Sequence, residues 1–189
     1  MTIRFVAPGD CPALLSIYAR YIDTSITFEC ALPAEAEFAG RITAIERDYP
    51  YLVCEDEGEI VGYAYAHRHM ERAAYQWNAE LSVYLDPSRT GRGLGKRFYR
   101  VLMELLRLQR IRTVVGVVTV PNEKSEALHR TMGFQIAGTF RNAGYKNGRW
   151  RDVMWFTRAI APHNADPAPF IPIGDLPRTE LERILSTPA

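Results

Sequence analysis

The sequence predicts an α+β domain, a mixed and mostly antiparallel sheet with helices on both faces. Three observations predict it. Strand-like and helix-like runs follow one another in the order β-α-α-β-β-β-α-β-α-β-β. Asp56-Glu57-Gly58 joins two strand runs and Asn147-Gly148 precedes the last one, the tight turns that antiparallel partners need. Residues 113–118, Thr-Val-Val-Gly-Val-Val, are apolar at both parities, so that run reads as a central strand covered on both sides. With 189 residues there is chain for one compact core and too little for a second.

Residues 3–6 form a short strand. Pro8-Gly9-Asp10 then breaks the chain. Asp10 is placed to cap a helix whose apolar face is Leu14, Ile17, Tyr18 and Tyr21, with Pro12 tolerated in its first turn. A second helix covers residues 34–47, where Phe38, Ile42 and Ile45 recur at helical spacing, until Tyr49-Pro50 stops it. Residues 51–55 and 59–67 are the arms of a hairpin, and residues 78–85 are a third strand ended by Asp86-Pro87. Thr90-Gly91-Arg92-Gly93-Leu94-Gly95-Lys96 opens a long amphipathic helix that turns Phe98, Val101, Leu102, Leu105 and Leu106 toward the sheet. Pro121-Asn122-Glu123-Lys124-Ser125 starts a further helix, which Gly133 closes as a left-handed cap before a short strand at 134–137. The last strand covers residues 150–158. Six of the twelve prolines fall in the final 29 residues, so the chain divides into a domain over residues 1–160 and a proline-rich arm over 161–189. Within the arm, Thr179-Glu180-Leu181-Glu182 suits a capping box for one late turn of helix.

Composition narrows the function classes. At 47% hydrophobic and 24% charged residues the chain is an ordinary globular one. Lys+Arg 23 against Asp+Glu 22 leaves a net charge of +1, so no field of one sign gathers nucleic acid or an anionic membrane, and neither is an expected partner. Any anion site must be local. The three cysteines, Cys11, Cys30 and Cys54, are an odd number without metal or redox spacing, which points to a reducing compartment. The N-terminus has no apolar signal core and no long apolar run follows, so a cytoplasmic protein is expected.

Glycines at 91, 93 and 95 between a strand and a helix let successive N–H groups converge at the positive end of the helix dipole, where a phosphate or diphosphate fits. The dinucleotide fingerprint fails in both registers, because Lys96 and Phe98 stand where it needs glycine. The nucleotide-hydrolysis loop fails at Thr90 and Arg97. Three glycines can also make nothing more than a tight turn. Arg89, Arg92, Lys96 and Arg97 around them are more cations than a turn requires.

Leu81-Ser82-Val83-Tyr84-Leu85 followed by Arg92-Gly93-Leu94-Gly95-Lys96, then Asn122-Glu123-Lys124-Ser125 and Leu128-His129-Arg130-Thr131-Met132-Gly133-Phe134, resembles the acetyl-CoA site of the GCN5-related N-acetyltransferases (GNAT). Trp77-Asn78-Ala79-Glu80 and Gly144-Tyr145-Lys146-Asn147-Gly148-Arg149-Trp150-Arg151-Asp152-Val153 are similar to the phosphinothricin and methionine sulfoximine acetyltransferases within it. The likeness spans about residues 3 to 160 and implies the GNAT fold. Thr90 departs from the superfamily, which has Gln or Arg at that place.

The resemblance implies an enzyme that moves an acetyl group from acetyl-CoA to the α-amine of a small amino acid or analogue, without a metal. Its general base is Glu80, which alone reads equally as a solvated carboxylate near a strand start. His129 is the candidate acid for the leaving thiolate, with Tyr99 and Tyr145 as alternatives, and it also reads as a packing histidine. The cofactor would be held by Val83, Tyr84 and Leu85 of a strand that parts from its neighbour, by Gly91, Arg92, Gly93, Leu94, Gly95 and Lys96 at the diphosphate, and by Asn122, which alone reads as a helix cap. Phe28, Arg72 and Tyr75 would border the acceptor, although Arg72 equally suits a solvated charge. A homodimer is expected, with residues 145–152 and the arm near the contact. Two other functions fit: acetylation of a peptide N-terminus or other amine, and a catalytically silent acyl-CoA-binding regulatory module.

Overall fold

The computed structural model describes residues 1–186. Its strands are β1 (Thr2–Phe5), β2 (Tyr51–Asp56), β3 (Glu59–Arg68), β4 (Asn78–Leu85), β5 (Thr113–Val120), β6 (Gln135–Lys146) and β7 (Arg149–Ala159). Its helices are α1 (Cys11–Ala19), α2 (Glu35–Glu46), α3 (Leu94–Leu108), α4 (Glu123–Thr131) and α5 (Arg178–Ser186). One sheet takes the order β1-β2-β3-β4-β5-β7-β6. Every neighbouring pair is antiparallel except β4 and β5. That single parallel pair follows from α3, which carries the chain from the end of β4 back to the start of β5.

Strand alternation divides the core. Tyr51, Val53 and Tyr63 meet α1 and α2 through Leu14, Ile17, Tyr18, Phe38 and Ile42. Leu52, Cys54, Ala64, Ala66 and Leu81 meet α3 through Phe98, Leu102, Leu105 and Leu106. The alternation that buries Ala79 and Leu81 against α3 turns Glu80 to the α1 and α2 face. Among the described residues no helix is long and apolar enough to cross a membrane.

Four expectations need correction. Asp10 does not cap α1; its carboxylate accepts from Arg4 at 2.7 and 3.0 Å and from the Ala7 N–H at 2.7 Å. The guanidinium bond holds its pKa below the usual carboxylate range. Strand β6 runs nine residues past the predicted end at 137, because its pairing with β7 shifts register twice, between Ile136 and Gly138 and between Phe140 and Gly144. Those shifts erase the alternation by which a strand is read. The late helix is nine residues long, not one turn. The arm also joins the core: Ile173 and Ile184 are buried in the α3 cluster, Phe170 stacks on Tyr49 at 5.0 Å, and the Trp77 indole N–H donates to the Ala168 carbonyl at 2.9 Å.

Candidate active site

Pairing of β4 with β5 covers only Asn78–Glu80 against Thr113–Val115, although β4 runs on to Leu85 and β5 to Val120. Beyond Glu80 and Val115 the two strands part. The Asp86 N–H bonds to the Val61 carbonyl at 2.9 Å, so the two-residue alternation turns the backbone groups of Val83 and Leu85 to the other edge, into the gap. One of those groups is taken, because the Tyr21 hydroxyl donates to the Leu85 carbonyl at 2.5 Å. Among the described residues the others have no ladder partner on that side. The Tyr84 side chain lies apart from the gap, in an aromatic cluster with Tyr18, Tyr21 and Tyr63, where burial raises its pKa.

The glycine loop lies at the far end of β4. Gly91 and Gly93 have φ of +79° and +82°, the left-handed region that favours glycine. Gly93 is the N-cap of α3 without a side-chain cap bond, which leaves the N–H groups of Leu94, Gly95 and Lys96 free at the helix start, while the Arg97 N–H closes the first turn on the Gly93 carbonyl at 3.1 Å. Leu94 turns its side chain into the core. The four expected cations divide. Arg92 and Lys96 are exposed and without a hydrogen bond or ion pair among the described residues. Arg89 pairs with Asp56 at 3.2 Å and Arg97 donates to the Met1 carbonyl at 3.0 Å, so both face the protein. Thr90 spends its hydroxyl on the Pro87 carbonyl.

Glu80 stands at the fork, and two histidines that sequence reasoning passed over converge on it. The His69 Nδ1 lies 3.2 Å from Oε2, and the His67 Nε2 lies 3.8 Å from Oε1. An ionised carboxylate can only accept, so Nδ1–H of His69 donates. His129 approaches the fork from the opposite face. Its Nδ1–H donates to the Ser125 carbonyl at 2.8 Å, its Nε2 therefore accepts from the Tyr99 hydroxyl at 3.2 Å, and its ring stacks on Phe156 at 4.8 Å. Gly116, one residue past the last β4–β5 pair, makes this approach possible: a Cβ there would lie 2.0 Å from the His129 Nε2. Burial lowers the His129 pKa and holds the ring neutral, and burial raises that of Tyr99, with the Glu80 charge adding to it. His129 is thus a proton acceptor in this arrangement, and the proton between the two rings belongs to Tyr99. Tyr145 is removed from both; its ring meets Trp150 at the surface and is 60% exposed.

Asn122 caps α4, with its Oδ1 accepting from the Ser125 N–H at 3.2 Å, which leaves its side-chain NH2 uncommitted. Phe28 lies on the loop after α1 and rests against Gly144, where a Cβ would fall 2.7 Å from the ring. Arg72 precedes and Tyr75 ends a 3-10 turn, Ala73–Tyr75, before β4; both are exposed and neither makes a side-chain hydrogen bond among the described residues. Sequence reasoning also missed Lys146. Its buried ammonium donates to the carbonyls of Ile22, Thr27 and Glu29 at 2.6, 2.7 and 2.7 Å, tying the Phe28 loop to β6. Asn147 adds a bond to the Asp23 carbonyl at 2.9 Å. Gly116 had a legible signal, a glycine inside a valine strand, which marks a close approach. Lys146 lies in the stretch that carries the resemblance, but no local signal gave its burial, since its partners are 117 to 124 residues away.

The Acetyltransferase (GNAT) domain family matches residues 3–155. The chain belongs to the GNAT acetyltransferases. A phosphinothricin N-acetyltransferase of Streptomyces viridochromogenes is 35% identical over 172 residues, covering 90% of this chain and 93% of that one. An L-methionine sulfoximine/L-methionine sulfone acetyltransferase of Pseudomonas aeruginosa is 31% identical, covering 88% and 98%. Among solved structures, a GNAT superfamily phosphinothricin acetyltransferase of Sinorhizobium meliloti in complex with AcCoA superposes with a TM-score of 0.84 at 34% identity, covering 88% of this chain and 92% of that one. The mixed sheet with one parallel pair is thus the fold of a GNAT acetyltransferase.

Proposed function

We propose that the protein transfers an acetyl group from acetyl-CoA to the α-amine of a small amino acid or analogue of the phosphinothricin or methionine sulfoximine type. The observation that carries this reading is the end of β4–β5 pairing at Glu80, with the glycine-capped helix start at the other end of the same strand. In that reading the N–H groups from Gly91 to Lys96, with Arg92 and Lys96 beside them, hold the diphosphate. Val83 and the Leu85 N–H pair with the pantetheine arm, and the free amide of Asn122 adds a donor. Acetyl-CoA supplies the acetyl group activated as a thioester.

Glu80 accepts a proton from the acceptor's ammonium, directly or through one water, so that a neutral amine faces the thioester. Tyr99 gives its hydroxyl proton to the leaving thiolate, its single O–H turning from the His129 Nε2 to the sulfur as the S–H bond forms, and the phenolate left behind takes up a proton from water. Tyr99 replaces His129 in that role. Phe28 forms one wall of the acceptor site and Tyr75 another, and Arg72 offers its guanidinium to the acceptor's anionic group.

We also propose a homodimer that works in the cytoplasm. Phe140, Tyr145 and Trp150, 65%, 60% and 62% exposed on β6 and β7, support the first, and three free cysteines support the second.

The test is a thiol-release assay with acetyl-CoA and a panel of phosphinothricin, methionine sulfoximine, free amino acids and short peptides. Release should be stimulated by the amino-acid analogues and not by peptides. Stimulation by peptides alone would move the acceptor assignment to N-termini, and no stimulation by any amine would favour a silent acyl-CoA-binding module.

A further inference from the structure

His69 is the better buried of the two histidines beside Glu80; its side chain is 7% exposed against 34% for His67. The end of β3 brings it there. His67 of β3 is the register partner of Glu80, and His69, in the bend one residue past the end of β3, brings its ring to the same carboxylate and against Trp155. Its ring stands edge-on against Trp155 of β7 at 5.2 Å and 76°, a contact that fixes the ring plane. The 3.2 Å separation from Oε2 is a hydrogen bond, whereas the 3.8 Å between His67 and Oε1 is not. His67 also spends its own Nδ1 on the Arg68 carbonyl at 2.9 Å. Among the described residues no group of three or more such side chains could hold a metal ion, so the cluster is not a metal-ligand set.

We propose that His69 is the positioning residue of the general base: Nδ1–H ties down Oε2 of Glu80, and Oε1 is left as the one oxygen that receives the acceptor's proton. The role rests on Glu80 being that base. A carboxylate on a free side chain samples several rotamers, and proton transfer needs it within hydrogen-bond reach of the amine at the moment of attack. Trp155, His69 and Glu80 form a chain in which each side chain limits the next, and it crosses the sheet from β7 to β4.

Two variants separate orientation from packing. His69→Phe keeps a ring against Trp155 and loses the donor; His69→Asn places an amide N–H near the position of Nδ1. His69→Phe should lower kcat by about tenfold or more, the size of a lost charge-assisted hydrogen bond, with the KM for acetyl-CoA unchanged within about twofold. His69→Asn should recover most of the loss. Wild-type kcat in His69→Phe, or no recovery in His69→Asn, would overturn the proposal. A measurement on the unaltered protein does not depend on the variants folding. 15N NMR of the histidine rings should show Nδ1 of His69 protonated, and an unprotonated Nδ1 would overturn the proposal as well. Glu80→Gln is assayed alongside. Impairment there with full activity in His69→Phe removes His69 only, whereas full activity in Glu80→Gln removes the general-base reading itself.

Discussion

Glu80→Gln is expected to lower kcat by about 10²- to 10⁴-fold, the range that a positioned general base supplies. Glutamine keeps the length and leaves an oxygen to accept from His69, so the hydrogen bond and the local packing survive while the basic oxygen is lost. Glu80 is only part-buried, with a side chain 22% exposed, and its removal as a charge leaves no deeply buried cation unpaired. The melting temperature should therefore move little, and calorimetry should find acetyl-CoA affinity within about twofold of the unaltered protein. A matched fall in acetyl-CoA affinity would instead assign Glu80 to cofactor binding.

Lys146→Met is expected to destabilise the protein by about 2–4 kcal/mol, because methionine fills much of the volume but leaves the three loop carbonyls without their donor. For a chain of this length that corresponds to a melting temperature about 5–15 °C lower, readable by calorimetry. The functional effect should be selective. The ammonium ties down the 22–29 segment that carries Phe28 against Gly144, so the acceptor KM should rise about tenfold or more while the acetyl-CoA KM stays near its original value. An equal rise in both constants would mean that the loop supports the whole fold and not the acceptor side.

The fold was legible wherever the hydrophobic period was local. Asn78–Leu85 matches its predicted bounds, and Gly133 has the left-handed φ of +75° expected of a helix-closing glycine. Strand β6 was legible only over its first few residues, because Arg141 and Asn142 turn aside to Asp152 and break the two-residue period. The arm was read as separate from its prolines, yet Gln109 ties it down by donating to the Asp48 and Ile171 carbonyls at 2.7 and 2.9 Å. No local pattern announces such a bond.

The site shows the same division. Glu80 and the glycine loop were found because strand, loop and helix are consecutive, and a helix start is a physical reason for an anion. The charges around the loop were overcounted. Proximity in sequence to Gly91 and Gly93 did not reveal that Arg89 and Arg97 have partners at Asp56 and Met1. His129 was placed on the correct helix, but its direction as an acceptor depends on the Ser125 carbonyl and the Tyr99 hydroxyl together. His69 was missed because a histidine in the bend after a strand carries no motif; only the fold of β3 back on β4 brings it next to Glu80.

A crystal structure of the protein with acetyl-CoA tests the central claim most directly. The account predicts diphosphate oxygens on the N–H groups between Gly91 and Lys96, the pantetheine arm lying along Val83 in the gap between β4 and β5, and the thioester at the fork beside Glu80 and Gly116. Density for the ligand in the groove lined by Arg100, Arg107 and Arg158, with the gap between the strands empty, would contradict it.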